Sequence, residues 1–485
     1  MRAHPHFRYE EVASFIAGLV DSGTLAPGCR APSLREISKQ QHVSLTTALQ
    51  AYRLLEDRGV LEARPQSGHY VRQRAAIRLE APTISNPPPR PAPVAISATL
   101  LKLQQCSADP RLVPLGWAIP SPELLAAARL DRFLARAART SGISHNTYTV
   151  PKGDPRLRQE IAHRALRWGA ALSPEDIVIT SGCTEAVTLA LNMVAQPGDT
   201  IAIESPTYFG LLRSLEALGL QVFELPTDAT NGIDLSALKR LLERRTVKAC
   251  LFSSSFNNPL GCTMPREEKL KALALLAKHR VPLIEDDIYG DIYFGSERPT
   301  PFMALNRHTN TIIYCSSFSK TIAPGYRIGW LAMKGAAHIQ RALERKLAFT
   351  LSGPPLLQVA FAEFLSSGGY DNHLRRIRRV FEDTIDQMTR SIARAFPHGT
   401  KVSRPAGSFV LWLELPKPVR TTPLFDEALD NGICIVPGDM FSASGRYGNC
   451  LRLSCGHGWN ERIERGLNKL GKLACSAAAR PAKAD

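Results

Sequence analysis

The segment Ser317-Phe318-Ser319-Lys320-Thr321-Ile322-Ala323-Pro324-Gly325-Tyr326-Arg327 sets a lysine among serines, with an arginine close behind. Lys320 follows Asp286, in Asp286-Asp287-Ile288-Tyr289, by 34 residues. A lysine amine condenses with an aldehyde to a Schiff base. A carboxylate facing a pyridine nitrogen keeps that ring protonated and improves it as an electron sink. Hydroxyls and a guanidinium suit a phosphate, which arginine can meet bidentately. One lysine alone is a surface residue in most chains. The whole constellation points to a pyridoxal phosphate site with Lys320 as its catalytic residue.

The elements that must position these groups show in the hydrophobic pattern. Short apolar runs at 177–180, 200–204, 249–253, 283–286, 312–315 and 327–332 read as strands, and 185–194 and 267–278 read as helices between them. Such alternation predicts an α/β fold with a mostly parallel sheet and helices on both faces. Ahead of it, residues 75–95 hold Pro82, Pro87, Pro88, Pro89, Pro91 and Pro93. That density excludes helix and central strand and predicts an extended, semi-rigid linker. The expected organisation is residues 1–74, a linker at 75–95, a large region at 96–475, and a small, polar tail at 476–485.

Composition bounds the rest. The chain has 485 residues, 44% hydrophobic and 21% charged, as in ordinary globular proteins. No apolar run approaches a membrane span, and the first residues lack a signal-peptide core, so a cytoplasmic protein without a membrane partner is expected. Ten cysteines without a CxxC pair read as reduced thiols, and no metal site is expected. The net charge is +16, yet residues 1–80 carry 11 basic and 8 acidic residues, which leaves +13 for the rest. Charge alone therefore does not locate a nucleic-acid surface.

In the first region, Val12, Phe15, Ile16 and Leu19 form a helical stripe. Ser33-Leu34-Arg35-Glu36 is a capping box that starts a short helix ending near Gln40. Val43-Ser44 opens another at 45–58, with Ala48, Tyr52 and Leu55 inward and Leu45, Thr46 and Thr47 in its exposed first turn. Two short helices and a tight turn make a helix-turn-helix, and 60–63 with 68–71 make a two-stranded wing. The wording of Pro27-Gly28, Ala31-Pro32-Ser33-Leu34-Arg35, Val43-Ser44-x-Thr46-Thr47, Ala51-Tyr52-x-Leu54-Leu55-Glu56-x-x-Gly59 and Ser67-Gly68-x-Tyr70-Val71 resembles the GntR-type winged helix over residues 7–72. The resemblance implies double-stranded DNA as a partner, with Arg35, Ser44, Thr46 and Thr47 toward phosphates or bases and Gly68 in the wing tip. Leu45 stands where that family usually has arginine or lysine, which removes one contact.

In the large region, Ser181-Gly182-Cys183-Thr184 follows a strand and opens a helix, where free N–H groups and hydroxyls suit a phosphate. Asp286 ends an apolar strand and needs a cationic partner there. Arg452, inside the apolar run Cys450-Leu451-Arg452-Leu453-Ser454, needs an anion. Residues 96–475 resemble the fold type I, class I/II aminotransferases. That resemblance implies a phosphate cup of Ser181, Gly182, Cys183, Thr184, Ser317, Ser319 and Arg327. It places Tyr208 on the cofactor ring, Asn258 and Tyr289 on its 3′ oxygen, and Arg452 on a substrate α-carboxylate. Gly116 and Trp117 would line the substrate entrance. Tyr148 would cross from a neighbouring subunit to the phosphate, which implies a homodimer.

Together the two resemblances are those of the MocR subgroup. The implied fold is an N-terminal winged helix-turn-helix, then a fold type I large domain with a smaller C-terminal α+β domain. The implied function is a DNA-binding transcriptional regulator whose aminotransferase-like domain senses pyridoxal phosphate, an amino acid or an amine. The alternative is an active aminotransferase with an autoregulatory or vestigial reader. It draws on Asn257-Asn258-Pro259, since many MocR-type chains have His-Gln-x-Pro there while working aminotransferases keep the asparagine.

Overall fold

The computed structural model describes residues 8–480 apart from 58, 65–66, 73–78, 85, 95–97, 107–108, 141, 143–145 and 308–309. The chain divides into two compact units, residues 1–78 with 294–297, and the remainder.

In the first unit the helices are Arg8–Asp21, Leu34–Gln40 and Leu45–Asp57. The expected capping box is present: Ser33 N–H donates to Glu36 Oε2 at 2.6 Å, and Glu36 N–H donates to Ser33 Oγ at 3.2 Å. Strands Leu61–Arg64 and Gly68–Val71 pair antiparallel as a wing, Leu61 opposite Val71 and Arg64 opposite Gly68. The Pro65-Gln66 turn lies outside the described residues. Val12, Ile16, Ile37, Ala48, Tyr52, Leu55, Leu61 and Val71 form the core. Phe15 and Leu19, expected on the same stripe, are half-buried.

The second unit is built on a nine-stranded sheet. Its order is Ala92–Pro93, Gln221–Asp228, Thr200–Ser205, Val247–Phe252, Leu283–Asp286, Ile312–Ser317, Gly329–Ala332 and Ile177–Thr180, with Gly232–Ile233 paired to Gln221–Asp228. The run from Gln221–Asp228 to Ile312–Ser317 is parallel. Gly329–Ala332 is antiparallel to both its neighbours. Helices cover both faces, so these strands are continuous apolar runs without polar alternation. Gln221–Asp228 escaped the sequence pattern because Glu224 and Pro226 interrupt its apolar residues. A second, antiparallel sheet runs Lys401–Val402, Val410–Glu414, Cys450–Ser454, Val436–Pro437. All ten cysteines are free and seven are buried. Among the described residues no helix is long and apolar enough to cross a membrane.

Two expectations change. The proline-rich segment is extended, but from residue 79 it lies on the second unit as a strap. Arg404 donates to the Leu79 carbonyl, and Val402 N–H donates to the Glu80 carbonyl at 2.9 Å. Thr83 N–H donates to Glu414 Oε2 at 2.6 Å, and Lys401 Nζ donates to Thr83 Oγ1 at 2.8 Å. Arg446 reaches the Asn86 carbonyl, and Arg244 the Pro89 carbonyl at 3.3 Å. Ala92–Pro93 then pairs antiparallel with Gln221 and Val222. Prolines lack N–H groups but keep their carbonyls, and an extended chain presents these to basic side chains. The strap therefore joins the small sheet to the edge of the large one. Residues 75–78, 85 and 95 of the expected linker lie outside the described residues. The expected tail also yields: helix Glu461–Ala479, capped by Asn460, takes up residues 476–479, whose three alanines favour helix.

If Glu414 anchors the strap, Glu414→Ala should speed hydrogen exchange at the Thr83 amide by about tenfold or more, the worth of a hydrogen bond to a charged acceptor. Unchanged exchange would mean that the strap is not held there.

Candidate functional site

The parallel strands Thr200–Ser205, Val247–Phe252, Leu283–Asp286 and Ile312–Ser317 end along one edge of the sheet, where ligands of such folds gather. A cavity of about 220 Å³ opens there, lined by Trp117, Cys183, Thr184, Tyr208, Asn258, Asp286, Tyr289, Ser319, Lys320, Arg327 and Arg452, among others. Most of the sequence-predicted residues therefore converge on one space.

Lys320 Nζ donates to the Ala118 carbonyl at 2.7 Å. Burial, and then the Arg452 charge, lower this amine to about 8 against the pull of Asp286. Thr321, next to it, is fixed from below: Tyr370 donates to its Oγ1 at 2.9 Å, and His373 Nε2 lies 2.6 Å from its carbonyl.

Asp286 ends its strand buried, and that burial raises its carboxyl to about 6. The Cys183 thiol lies 3.3 Å from Asp286 Oδ1 as donor, and the Ile288 N–H donates to the same oxygen at 3.3 Å. Burial pushes the Cys183 thiol well up, so it stays protonated and can donate. Cys183, expected in the phosphate cup through its position, thus also steadies the carboxylate with its side chain. No cation is bonded to Asp286 among the described residues, and a protonated ring nitrogen would fit that need.

The cup forms at the start of helix Cys183–Val194. Gly182 precedes it at φ +85°, and a Cβ there would collide with the Arg327 guanidinium. Arg327 Nη2 donates to the Ser181 carbonyl at 2.8 Å, while Ser181 N–H donates to Glu185. The Ser319 N–H donates to Ser317 Oγ at 3.3 Å. Thr184, Ser319 and Arg327 face the cavity; Ser181, Gly182 and Ser317 shape it from behind. Helix N–H groups, hydroxyls and a guanidinium bonded only to carbonyls among the described residues fit a phosphate.

Arg452 is 1% exposed. It donates to the Gly116 carbonyl, and its Nη1 lies 3.5 Å from Asn258 Oδ1. Its Nε has no partner, and no carboxylate pairs with it among the described residues. Burial lowers its pKa, as expected of a cation without a counter-charge. Gly116 does not line the entrance as expected. A Cβ there would sit 2.6 Å from Cys434 Sγ and 3.1 Å from the Ile435 carbonyl, so the glycine permits a close packing that aims its own carbonyl at Arg452. Trp117 does line the cavity. Tyr148 does not: it is 86% exposed and outside the cavity of its own chain.

In the first unit, Ser44 Oγ accepts the Thr47 N–H at 3.0 Å and shares a hydrogen bond with Thr47 Oγ1 at 2.8 Å, capping helix Leu45–Asp57. Thr46 and Arg35 are exposed, and Leu45 is 53% exposed. Gly68, at φ +104°, packs under the Arg30 guanidinium, which a Cβ would approach to 3.4 Å. Arg64 lies 4.2 Å from the Tyr70 ring centroid. Arg30 adds positive charge to the wing, whereas Arg64 is paired with Glu62 at 2.7 Å. Sequence reasoning missed Arg30, because only the strand register brings it beside Gly68 and Tyr70. It missed Ala118 because a backbone carbonyl leaves no residue-type signal.

Two family models match the chain: aminotransferase class I and II over residues 116–470, and bacterial regulatory proteins, gntR family, over residues 8–71. An uncharacterized HTH-type transcriptional regulator of Escherichia coli, YdcR, is 39% identical over 96% of this chain and 98% of its own. A second from the same organism, YjiR, is 34% identical over 97% and 99%. The 2-aminoadipate transaminase of Thermus thermophilus is 29% identical over 78% of this chain and 93% of its own. The crystal structure of LysN, an alpha-aminoadipate aminotransferase of the same organism complexed with N-(5'-phosphopyridoxyl)-L-leucine, matches with a TM-score of 0.73 at 28% identity over 79% of this chain and 96% of that one.

The raised Asp286 carboxyl has a cost that the cofactor-free protein carries. The native state holds the proton to about pH 6, whereas the ordinary value is 3.8, so the penalty appears as pH rises through that window. Asp286→Asn should stabilise the cofactor-free protein by up to about 3 kcal/mol at pH 7, falling to about half of that by pH 5. Urea denaturation at the two pH values reads this, and a variant less stable at pH 7 would contradict the buried, unpaired carboxylate.

Proposed function

The chain belongs to the aminotransferase class I and II family and, with its gntR-family reader, to the HTH-type regulators of MocR-type architecture, and from this we propose that it is a cytoplasmic, homodimeric, DNA-binding regulator that senses an amino acid through bound pyridoxal phosphate. The observation that carries the sensing part is Arg452, a buried guanidinium without a carboxylate, in the same cavity as Lys320. A cation so placed awaits an anion, and an α-carboxylate brings its amino group into the space of Lys320.

Pyridoxal phosphate, when bound, supplies an aldehyde and an electron-withdrawing ring. Lys320, its amine lowered to about 8 by burial, would hold that aldehyde, and its Nζ could hold or move a proton at the substrate carbon. Asp286 would face the ring nitrogen, Tyr208 the ring, Tyr289 and Asn258 the 3′ oxygen, and Thr184, Ser319 and Arg327 the phosphate. Tyr148 and Val150 are exposed, and Thr149 Oγ1 donates to the Gly353 carbonyl at 3.4 Å, beside exposed Phe349 and Leu351. That apolar surface suits a second copy, whose cup would receive Tyr148.

We place the reader at residues 1–74 and the sensor at 96–475. A carboxylate drawn to Arg452 pulls on the small sheet, and the strap, tied to that sheet at Glu80 and Thr83, carries the movement toward the reader. Ligand binding shifts DNA affinity only as far as it favours one state over the other. An active aminotransferase is the second reading, favoured by Asn258, which lines the cavity with Lys320 and lies 3.5 Å from Arg452 Nη1.

For the reader, Thr46→Ala with Thr47→Ala should weaken binding to the promoter beside its own gene by roughly tenfold or more, with little change on random duplex. Equal affinity of wild-type and variant would remove these residues from the interface. For the sensor, Lys320→Ala should lose the visible absorbance of covalently held cofactor. Arg452→Met should keep that absorbance but no longer respond to amino acids. Persistent transamination by the Lys320→Ala protein would overturn the site.

A further inference from the structure

We propose that the amino acid taken by this site carries a large apolar side chain, aromatic or branched, and not a second carboxylate. The inference rests on the assignment of Arg452 to an α-carboxylate.

Charge gives the first argument. The cavity has three cationic residues among the described lining, and each is committed. Lys320 sits on the Ala118 carbonyl and opposes Asp286. Arg327 is anchored to the Ser181 carbonyl at the mouth of the phosphate cup. Arg452 meets the α-carboxylate. Among the described residues, no other lysine, arginine or histidine faces this space. A distal carboxylate would be stripped of water without a cation of this chain to receive it.

The wall beside Arg452 gives the second. The fully buried Phe441 ring backs that wall without lining the cavity, its centroid 5.6 Å from Arg452 Cζ. Phe209 packs edge-on against Phe441 with centroids 5.5 Å apart, and Trp117 against Phe209 at 6.4 Å. Trp117 Nε1 donates to the Leu103 carbonyl at 3.1 Å, so its one donor is not offered to the cavity. Ile119 and Leu211 line the same space. Tyr208, Ser214, Asn258 and Tyr289 are its polar members around Arg452, and none carries a charge that could hold a carboxylate. An apolar side chain leaving the α-carbon of an Arg452-bound amino acid meets Trp117 and Phe209, where its burial is favourable.

The full-length protein with cofactor bound is titrated by calorimetry with L-phenylalanine, L-leucine, L-alanine, L-glutamate and L-2-aminoadipate. Phenylalanine and leucine should bind at least about tenfold tighter than alanine and than either dicarboxylic acid. Phe209→Ala should cut the ratio of phenylalanine to alanine affinity by about fivefold or more, and Trp117→Leu gives the same readout should Phe209→Ala fail to accumulate. Glutamate or 2-aminoadipate binding as tightly as leucine would overturn the inference while leaving the Arg452 assignment intact. An unchanged ratio in both variants would remove the aromatic row from recognition. Binding of no amino acid by the cofactor-loaded protein would overturn the Arg452 assignment itself.

Discussion

A guanidinium buried without a carboxylate is the interaction left incomplete in this chain, and much of the large unit is arranged to tolerate it. Arg452 occupies the strand Cys450–Ser454, opposite Trp412 and Val436, where every neighbouring position is buried. Only the Gly116 carbonyl, Asn258 and the Phe441 ring meet its charge among the described residues. Asp286 is the counterpart across the same cavity, an anion bonded to a thiol and one N–H and otherwise unanswered. Two opposed, desolvated charges held apart by rigid strands form a site whose missing parts are specified by the parts present. Protein stability is given up for that preorganisation.

The layer beneath pairs its charges and acts as a footing, although Asp287 Oδ1 is left without a hydrogen-bond partner. Arg298 bridges Asp287 at 2.6 Å and Asp291 at 2.8 Å, and Tyr314 donates to Asp287 at 2.9 Å. Tyr370 reaches Asp291 at 3.1 Å as well as Thr321, and the guanidinium of Arg164 lies over the Tyr370 ring at 4.2 Å. The guanidinium charges hold Asp291 well below the usual carboxylate range despite its burial. Asp287 adjoins Asp286, and Thr321 adjoins Lys320, so this network fixes the backbone on both sides of the reacting groups. Removing one member would leave a buried charge uncompensated, which is why such networks lock geometry more than they add stability.

The sequence made much of this legible, because strongly local signals were involved. Ser33 and Glu36 defined a helix start that the structure keeps, and Lys320, Asp286, Asn258, Tyr289 and Arg452 meet in one cavity. Strands 177–180 and 283–286 have the bounds that their apolar runs suggested. What stayed hidden depends on backbone or on register. Gly116 and Ala118 act through carbonyls, and Arg30 reaches the wing only through a bridge to Tyr70. Gln221–Asp228 is apolar on average but broken by Glu224 and Pro226. Proline density gave extended backbone, expected as a linker, and carried no sign that Arg244, Arg404 and Arg446 would seize its carbonyls. Tyr148, expected at the phosphate, is exposed and lies outside the cavity of its own chain.

The strap has one more effect, on association. A sheet ending in Gln221–Asp228 would display a row of open N–H and C=O groups, a template on which another extended chain could add. Ala92–Pro93 fills that row at Gln221 and Val222. Pro93 has no N–H, and Pro91 beside it has none, so the outermost strand offers little to a further neighbour. The same prolines that exclude a helix there therefore blunt the sheet against polymerisation. A shortened chain beginning at residue 96 would keep the whole cavity yet bare a sticky edge, and its tendency to aggregate would say nothing about how well its site is formed.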